Sequence, residues 1–148
     1  MRRTDLYTRL IYARRSRIFG KAAYYLLKLL GAEVPLSVRI GEGCLLVHGG
    51  YGVVVHPKTR LGDRVKIYPG VTLGRADIHH PAEESAFEAI EVGDDVILSP
   101  GAKILGRSGV LRIGTGAVIG ANAVVLEDVG EYEIWAGIPA RFIRLRKK

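Results

Sequence analysis

The sequence contains little cysteine, little histidine and few aromatic residues, and each shortage excludes a class of structure or site. The single cysteine, Cys44, cannot form a disulfide within the chain, which is typical of a reducing compartment. Four histidines with no close paired spacing on one structural repeat, together with one cysteine, do not predict a zinc site, so we expect no metal. The triple-histidine spacing of the γ-carbonic anhydrases is also missing.

The sequence also lacks a long uncharged apolar run. The longest one, residues 18–30, contains Lys21 and Lys28 and is shorter than the roughly 20 apolar residues that a membrane-spanning helix needs. The first residues show no signal-peptide pattern. We therefore expect a cytoplasmic protein, with contact at the inner face of the membrane as a further expectation.

Charge is distributed unevenly along the 148 residues, although the net charge is +7. Residues 1–32 contain eight Lys or Arg against one Asp, and residues 141–148 contain five Lys or Arg and no acid, whereas the middle is acidic. Basic ends indicate an anionic partner such as a phosphorylated ligand or a membrane surface. The basic tail has no interleaved aromatics and no recognisable module, so we expect no nucleic acid.

Residues 1–32 predict a basic amphipathic helical segment. Thr4 can cap its start, Gly20 can divide it into two helices, and Gly31 can end it. An apolar stripe at helical spacing should pack on the same domain or on a neighbouring subunit, and contact with an anionic membrane is the alternative. The stripe comprises Leu6, Leu10, Ile11, Ile18, Ala22, Tyr25, Leu26, Leu29 and Leu30, and the basic face comprises Arg9, Arg14, Arg15, Arg17, Lys21 and Lys28.

From residue 33 an aliphatic residue returns every six positions, and a glycine often follows it. Neither a helix nor an alternating strand has this period; it is typical of a β-helix in which three short strands form each coil. The sequence therefore predicts an all-β repeat domain, a parallel β-helix, over residues 33–140. The repeating positions are Val34, Ile40, Leu46, Val55, Leu61, Ile67, Leu73, Val92, Leu98, Ile104, Ile113, Ile119 and Val125.

Three interruptions of the repeat indicate where function lies, because loops that leave a rigid scaffold often carry binding and catalytic residues. Three extra residues separate Leu46 from Val55, and His48 lies among them. Three more follow Ile104, at residues 107–109. A longer excursion, residues 75–91, contains His79 and His80.

Several motifs with individual identities follow one another in this repeat. They are Glu33-Val-Pro, Ile40-Gly-Glu-Gly, His48-Gly-Gly-Tyr-Gly-Val-Val-Val, Gly70-Val-Thr-Leu-Gly74, Pro100-Gly-Ala-Lys-Ile-Leu-Gly106, Ile119-Gly-Ala-Asn-Ala-Val-Val-Leu126 and Ala136-Gly-Ile-Pro-Ala-Arg141. Over residues 33–143 they resemble the hexapeptide-repeat acetyltransferases, in particular the serine O-acetyltransferase-like branch. The resemblance implies a left-handed β-helix, acetyl-CoA as co-substrate, and a homotrimer with active sites between subunits.

Some positions depart from the serine enzymes. Those enzymes have an acidic residue directly before the catalytic histidine, where this chain has Val47. They also have an Arg-His pair that grips serine, where this chain has Glu88 and Ala89. The sequence looks more like the O-acetyltransferases of exopolysaccharide or capsule synthesis, of the colanic-acid type. Acetyl transfer to a sugar hydroxyl is therefore the expected reaction; serine O-acetyltransferase and a non-catalytic assembly or membrane-surface module are the alternatives.

The resemblance gives roles to particular residues. His48 is the expected general base, a role that suits an imidazole because it ordinarily titrates near neutral pH. Glu33 would accept a hydrogen bond from this ring and fix its tautomer. Tyr51, His79 and His80 would contact the acceptor.

The coenzyme is expected to lie further along the coil. Its pantetheine arm would follow Ser99, Pro100 and Ala121. Arg141 and Arg144, in the basic tail at residues 141–148, would contact its phosphates, because guanidinium groups bind phosphate in bidentate geometry.

Overall fold

A computed structural model describes residues 6–147 of the chain. The N-terminal segment forms two helices, α1 (Leu6–Ala13) and α2 (Gly20–Leu29). The predicted Thr4 cap lies outside the described residues. Gly20 does not lie between the helices but begins α2, where a Cβ would approach the Arg14 carbonyl oxygen to 2.6 Å. Gly31 ends the segment as predicted, with a φ of +97° that favours glycine.

The remainder of the chain winds through three sheets in turn. The first contains β1 (Arg39–Ile40), β4 (Thr59–Leu61), β7 (Phe87–Val92) and β10 (Gly109–Ile113). The second contains β2 (Leu45–Leu46), β5 (Lys66–Ile67), β8 (Ile97–Leu98), β11 (Val118–Ile119), β13 (Glu133–Gly137) and β14 (Ala140–Leu145). The third contains β3 (Val54–Val55), β6 (Thr72–Arg75), β9 (Lys103–Gly106) and β12 (Val124–Val125).

Pairing within the sheets shows that the predicted β-helix is correct. Every paired neighbour is parallel except β13 and β14, which form an antiparallel hairpin. Leu46, for example, lies beside Ile67, and Ile67 lies beside Leu98. Residues of successive coils are therefore stacked in register, as the six-residue period requires.

The core is the column of side chains inside the coils. Twelve of the thirteen predicted aliphatic positions are buried, and Ile40, at the end next to the helices, is half-buried. Small residues such as Ala102, Ala117 and Ala123 fill the remaining interior positions. Burial of each large aliphatic side chain contributes about 1.5–3 kcal/mol to stability, so the column supplies the main driving force for folding.

Three features of the organisation differ from expectation. The stripe of the helical segment is divided: Leu10 and Ile11 on α1 are buried, whereas its members on α2 face solvent, and the buried apolar side chains of α2 are instead Ala23 and Leu27. The excursion is shorter than 75–91, since β6 extends to Arg75 and β7 begins at Phe87. The basic tail is not free, because β14 runs to Leu145 and pairs with β13.

Candidate active site

His48 lies in a tight turn at the corner between the second and third sheets, in the first coil. The turn, Val47–Gly50, has left-handed backbone at His48 (φ 53°) and Gly49 (φ 81°). The three inserted residues therefore form an outward loop instead of a strand. The side chain of His48 is exposed and meets the Tyr68 ring edge-on, with centroids 6.2 Å apart. Within residues 6–147 the imidazole has no hydrogen-bond partner, so both ring nitrogens can serve a substrate.

Helix α1 supports this turn through a pair of tyrosines. The Tyr7 hydroxyl donates to the Tyr51 hydroxyl at 2.9 Å, and the two rings meet edge-on at 5.7 Å. The Tyr7 ring also covers Gly49, where an added Cβ would approach it to 2.7 Å. Position 49 therefore requires glycine for two reasons: its φ is in the left-handed region, and the Tyr7 ring leaves no room for a Cβ. The contact of Tyr7 with the His48 turn could not be predicted, because nothing in the sequence pairs α1 with this turn.

Glu33 does not make the expected contact with His48. Its backbone pairs with Val54 at the edge of the third sheet, and its carboxylate accepts hydrogen bonds from Lys28 Nζ (2.9 Å) and the Tyr24 hydroxyl (3.4 Å). No hydrogen bond joins Glu33 to His48 in the described part of the chain. The physical reason is that α2 ends just before Glu33 and brings a cation within reach. The orienting role of Glu33 stays a prediction.

His79 and His80 lie on the excursion, which leaves the coil at the corner between the third and first sheets. The two rings are exposed and stack on each other with centroids 4.2 Å apart. The Ser85 hydroxyl donates to Asp77 at 2.6 Å and, with Arg75, lowers the pKa of that carboxyl. His48 lies at the other end of the third sheet. A single chain therefore does not bring these histidines to His48, so their contact with the acceptor stays a prediction that requires active sites between subunits.

A groove of about 520 Å³ follows the outer surface of the third sheet between these two corners. Glu33, Val54, His56 and Ile78 are among the residues that line it. His56 packs edge-on against Phe87 with centroids 4.9 Å apart, and burial together with nearby cations lowers its pKa. Its Nδ1 accepts a hydrogen bond from the Lys58 amide, which indicates a structural role.

The predicted pantetheine residues lie at the same corner as His48, in the following coils. Ser99 and Pro100 form the turn after β8, and Ala121 lies in the turn after β11. The amide of Ser99 donates to Ile119 O, and the carbonyl of Pro100 accepts the Asn122 amide, so both groups already belong to the stacked turns. A coenzyme at this corner would follow a column of turns that begins at His48.

The predicted phosphate ligands are placed at the end of this column. Arg141 pairs with Glu127 at 2.8 Å, and Arg144 is exposed on β14. Arg141 lines a small cavity together with Arg107, a residue that the sequence analysis placed in the second insertion without giving it a role. Two guanidinium groups, those of Arg107 and Arg141, thus line one cavity and suit a phosphate, whereas Arg144 lies opposite Ile134 further along β14.

Comparison with known proteins agrees with this architecture. No family model matches the chain. It is 34% identical over 135 residues to the serine acetyltransferase of Staphylococcus xylosus, covering 86% of this chain and 58% of the relative. The solved serine acetyltransferase of Neisseria gonorrhoeae superposes with a TM-score of 0.75 at 29% identity, covering 95% of this chain and 53% of that one. The enzyme of Brucella abortus in complex with coenzyme A superposes with a TM-score of 0.75 at 28% identity, covering 93% and 55%.

These similarities show that the molecule is a left-handed β-helix, as predicted. They also place the chain in the hexapeptide-repeat acetyltransferase superfamily. The chain spans a little over half the length of these relatives. They are serine acetyltransferases, so the comparisons favour the alternative reaction and give no support to the expected exopolysaccharide branch.

Proposed function

We propose that the chain is an acetyl-CoA-dependent O-acetyltransferase in which His48 is the general base. The observation that carries this proposal is the His48 turn, an insertion with left-handed backbone that holds an exposed imidazole without a partner among the described residues. It begins the column of turns that ends at the basic hairpin. A structural histidine would need none of this arrangement.

The reaction follows from this arrangement. As the acceptor hydroxyl oxygen attacks the thioester carbonyl carbon, its proton passes to a ring nitrogen of His48. The tetrahedral intermediate then collapses, the carbon–sulfur bond breaks, and the coenzyme thiolate takes the proton from the imidazolium. The products are the acetyl ester and free coenzyme A, and His48 is neutral again. Holding both substrates at one corner supplies the proximity that direct transfer needs.

Serine is the acceptor that the relatives favour. Serine acetyltransferases are similar to 86% of this chain in sequence and to 95% of it in structure. One solved structure of the Neisseria gonorrhoeae enzyme is in complex with serine. Because the similarity includes the histidine corner, we propose L-serine or a small hydroxyl compound like it as the acceptor.

A sugar hydroxyl is the second candidate, and Val47 is the observation that favours it. This half-buried apolar side chain stands directly before His48, where the serine enzymes have an acidic residue. No carboxylate at this position can therefore contact the ammonium group of an amino acid. A neutral acceptor has no ammonium group, so having valine in place of the acidic residue would remove no contact with it.

We propose that the enzyme acts as a homotrimer. His48 and the histidines of the excursion lie at different corners of one chain, so a neighbouring subunit is needed to place an excursion beside His48. The groove along the third sheet, with the apolar side chains of Val54 (44% exposed) and Ile78 (78% exposed), is the surface that such a neighbour would cover.

The proposal is tested by measuring release of the coenzyme thiol from acetyl-CoA with L-serine and with a panel of oligosaccharides and nucleotide sugars. The His48→Ala variant should lose at least about 10²-fold in turnover with an unchanged melting temperature. His56→Gln is the matched control and should keep its turnover. Full activity of His48→Ala would refute the general-base role, and turnover with sugars alone would replace serine by the second candidate.

The role of Glu33 needs a separate comparison, because its carboxylate is paired with Lys28. If Glu33 orients His48, then Glu33→Gln should lower turnover about tenfold or more, within the range for oriented acid–base groups, whereas Lys28→Met should not. Equal, small effects of both changes would show that the two residues form only a surface ion pair, which contributes about 0–1 kcal/mol to stability.

A further inference from the structure

The outer surface of α2 and the turn before it carry large apolar side chains that no other part of residues 6–147 covers. We call this set the outer stripe; it comprises Ile18 (82% exposed), Phe19 (67%), Tyr25 (65%), Leu26 (43%) and Leu29 (83%). Their spacing places them along one side of the helix. Single exposed apolar residues are ordinary on protein surfaces, but a contiguous patch of this kind marks an interaction site.

The outer stripe cannot turn inward, because the opposite side of α2 is already packed. Gly20, Ala23 and Leu27 are buried against the rest of the domain, and Leu27 is completely inaccessible. The Arg14 carbonyl oxygen lies 2.6 Å from the position of a Gly20 Cβ, so the start of α2 is in close contact with the backbone that follows α1. The helix therefore presents the stripe in a fixed orientation, and an occupant must come from outside residues 6–147.

The charges around the stripe indicate the chemistry of that occupant. Residues 6–32 contain six Lys or Arg and no Asp or Glu. Arg15 and Lys28 pair with acids of the coil. Arg17 and Lys21, which flank the stripe, are exposed and form no ion pair with another described residue. The outer stripe is therefore an apolar surface bordered by cations that are unpaired among the described residues. It is complementary to a partner that has an apolar interior under an anionic outer layer.

We propose that the outer stripe docks the protein on an anionic phospholipid surface, with α2 lying in the plane of the interface. The apolar side chains would enter the boundary of headgroups and acyl chains, and Arg17 and Lys21 would contact phosphates. Among residues 6–147, neither helix has the length and hydrophobicity that crossing a bilayer requires. A second copy of the chain is the less favourable occupant, since a two-fold contact through this stripe would oppose like charges.

Vesicle co-sedimentation of the intact protein tests the proposal, with phosphatidylglycerol–phosphatidylcholine vesicles against phosphatidylcholine alone. We expect binding to the anionic vesicles, weakened by salt. The Ile18→Ser/Leu29→Ser variant should lower the partition coefficient at least about tenfold. Lys21→Glu should lower it roughly fivefold or more. Ile143→Ser and Arg39→Glu change an exposed apolar side chain and an exposed cation elsewhere and should bind like the wild type.

Light scattering of the same variants identifies a competing occupant. The proposal is wrong if the protein ignores anionic vesicles, if it binds neutral vesicles equally well, or if the stripe variants bind like the wild type. A smaller particle for Ile18→Ser/Leu29→Ser, without vesicle binding by the wild type, would show that another copy covers the stripe. Acetyl transfer is measured separately, so failure of the docking proposal leaves the proposed function standing.

Discussion

Replacing Tyr12 by phenylalanine removes one oxygen atom that joins helix α1 to the first coil. The Tyr12 hydroxyl donates to the Gly41 carbonyl at 2.8 Å and accepts the Cys44 amide at 2.8 Å. Cys44 is buried, so its amide has no access to water once the hydroxyl is gone. The aromatic ring, which lies under the Arg15 guanidinium at 4.9 Å, is retained in phenylalanine.

The expected cost follows from these contacts. A buried donor left without a partner costs about 1–3 kcal/mol, and the second hydrogen bond contributes about 0.5–1.5 kcal/mol. We therefore expect Tyr12→Phe to lower the free energy of unfolding by about 1.5–4.5 kcal/mol. Because α1 also carries Tyr7, which supports the His48 turn, we expect a loss of turnover as well.

The effect is measured by urea unfolding at fixed protein concentration, with Tyr25→Phe as the matched control. Tyr25 is exposed, and its hydroxyl has no hydrogen bond to another described residue, so the control should change stability by less than about 0.5 kcal/mol. A Tyr12→Phe variant as stable as Tyr25→Phe would refute the idea that this hydroxyl anchors α1.

The pH dependence gives an independent check. Burial, with a smaller contribution from Cys44, raises the pKa of Tyr12 to about 12. The folded state thus disfavours the phenolate, and the associated stability is present below the unfolded pKa of about 10 and is lost as the pH rises through 12. The wild type should lose this stability on going to alkaline pH, whereas Tyr12→Phe should lack that component of the decline.

Further predictions concern a corner glycine and a half-buried histidine. At Gly114 an added Cβ would come within 2.6 Å of the Glu131 amide nitrogen, a backbone atom that cannot move aside, whereas Gly109 has a φ of +58° and open space around it. Gly114→Ala should therefore cost clearly more than the roughly 1–2 kcal/mol of left-handed strain that Gly109→Ala suffers, and equal urea midpoints would contradict this. Burial, then nearby cations, lowers the pKa of His56, so its stabilising effect is present above the unfolded pKa of about 6.5 and is lost as the pH falls through the folded pKa. His56→Gln should flatten this part of a melting-temperature profile between neutral and acidic pH; an unchanged profile would assign the decline to other groups.

The repeat itself determined most of the fold. A six-residue period requires one strand and one turn per repeat, so residues such as Leu46, Ile67 and Leu98 had to form one stacked column inside the coil. The phase slip at His48 could be located for the same reason, since three extra residues cannot remain in the column and must leave it at a corner. Local spacing was sufficient for both conclusions.

Contacts between distant segments were decided by the tertiary structure alone. The partner of Glu33 is Lys28, because α2 ends beside the third sheet, and no sequence period shows where a helix will dock. Tyr7 lies above Gly49, 42 positions away, for the same reason. A periodic pattern specifies which side chains stack within the coil, whereas helix docking depends on shape and packing that only the assembled coil provides.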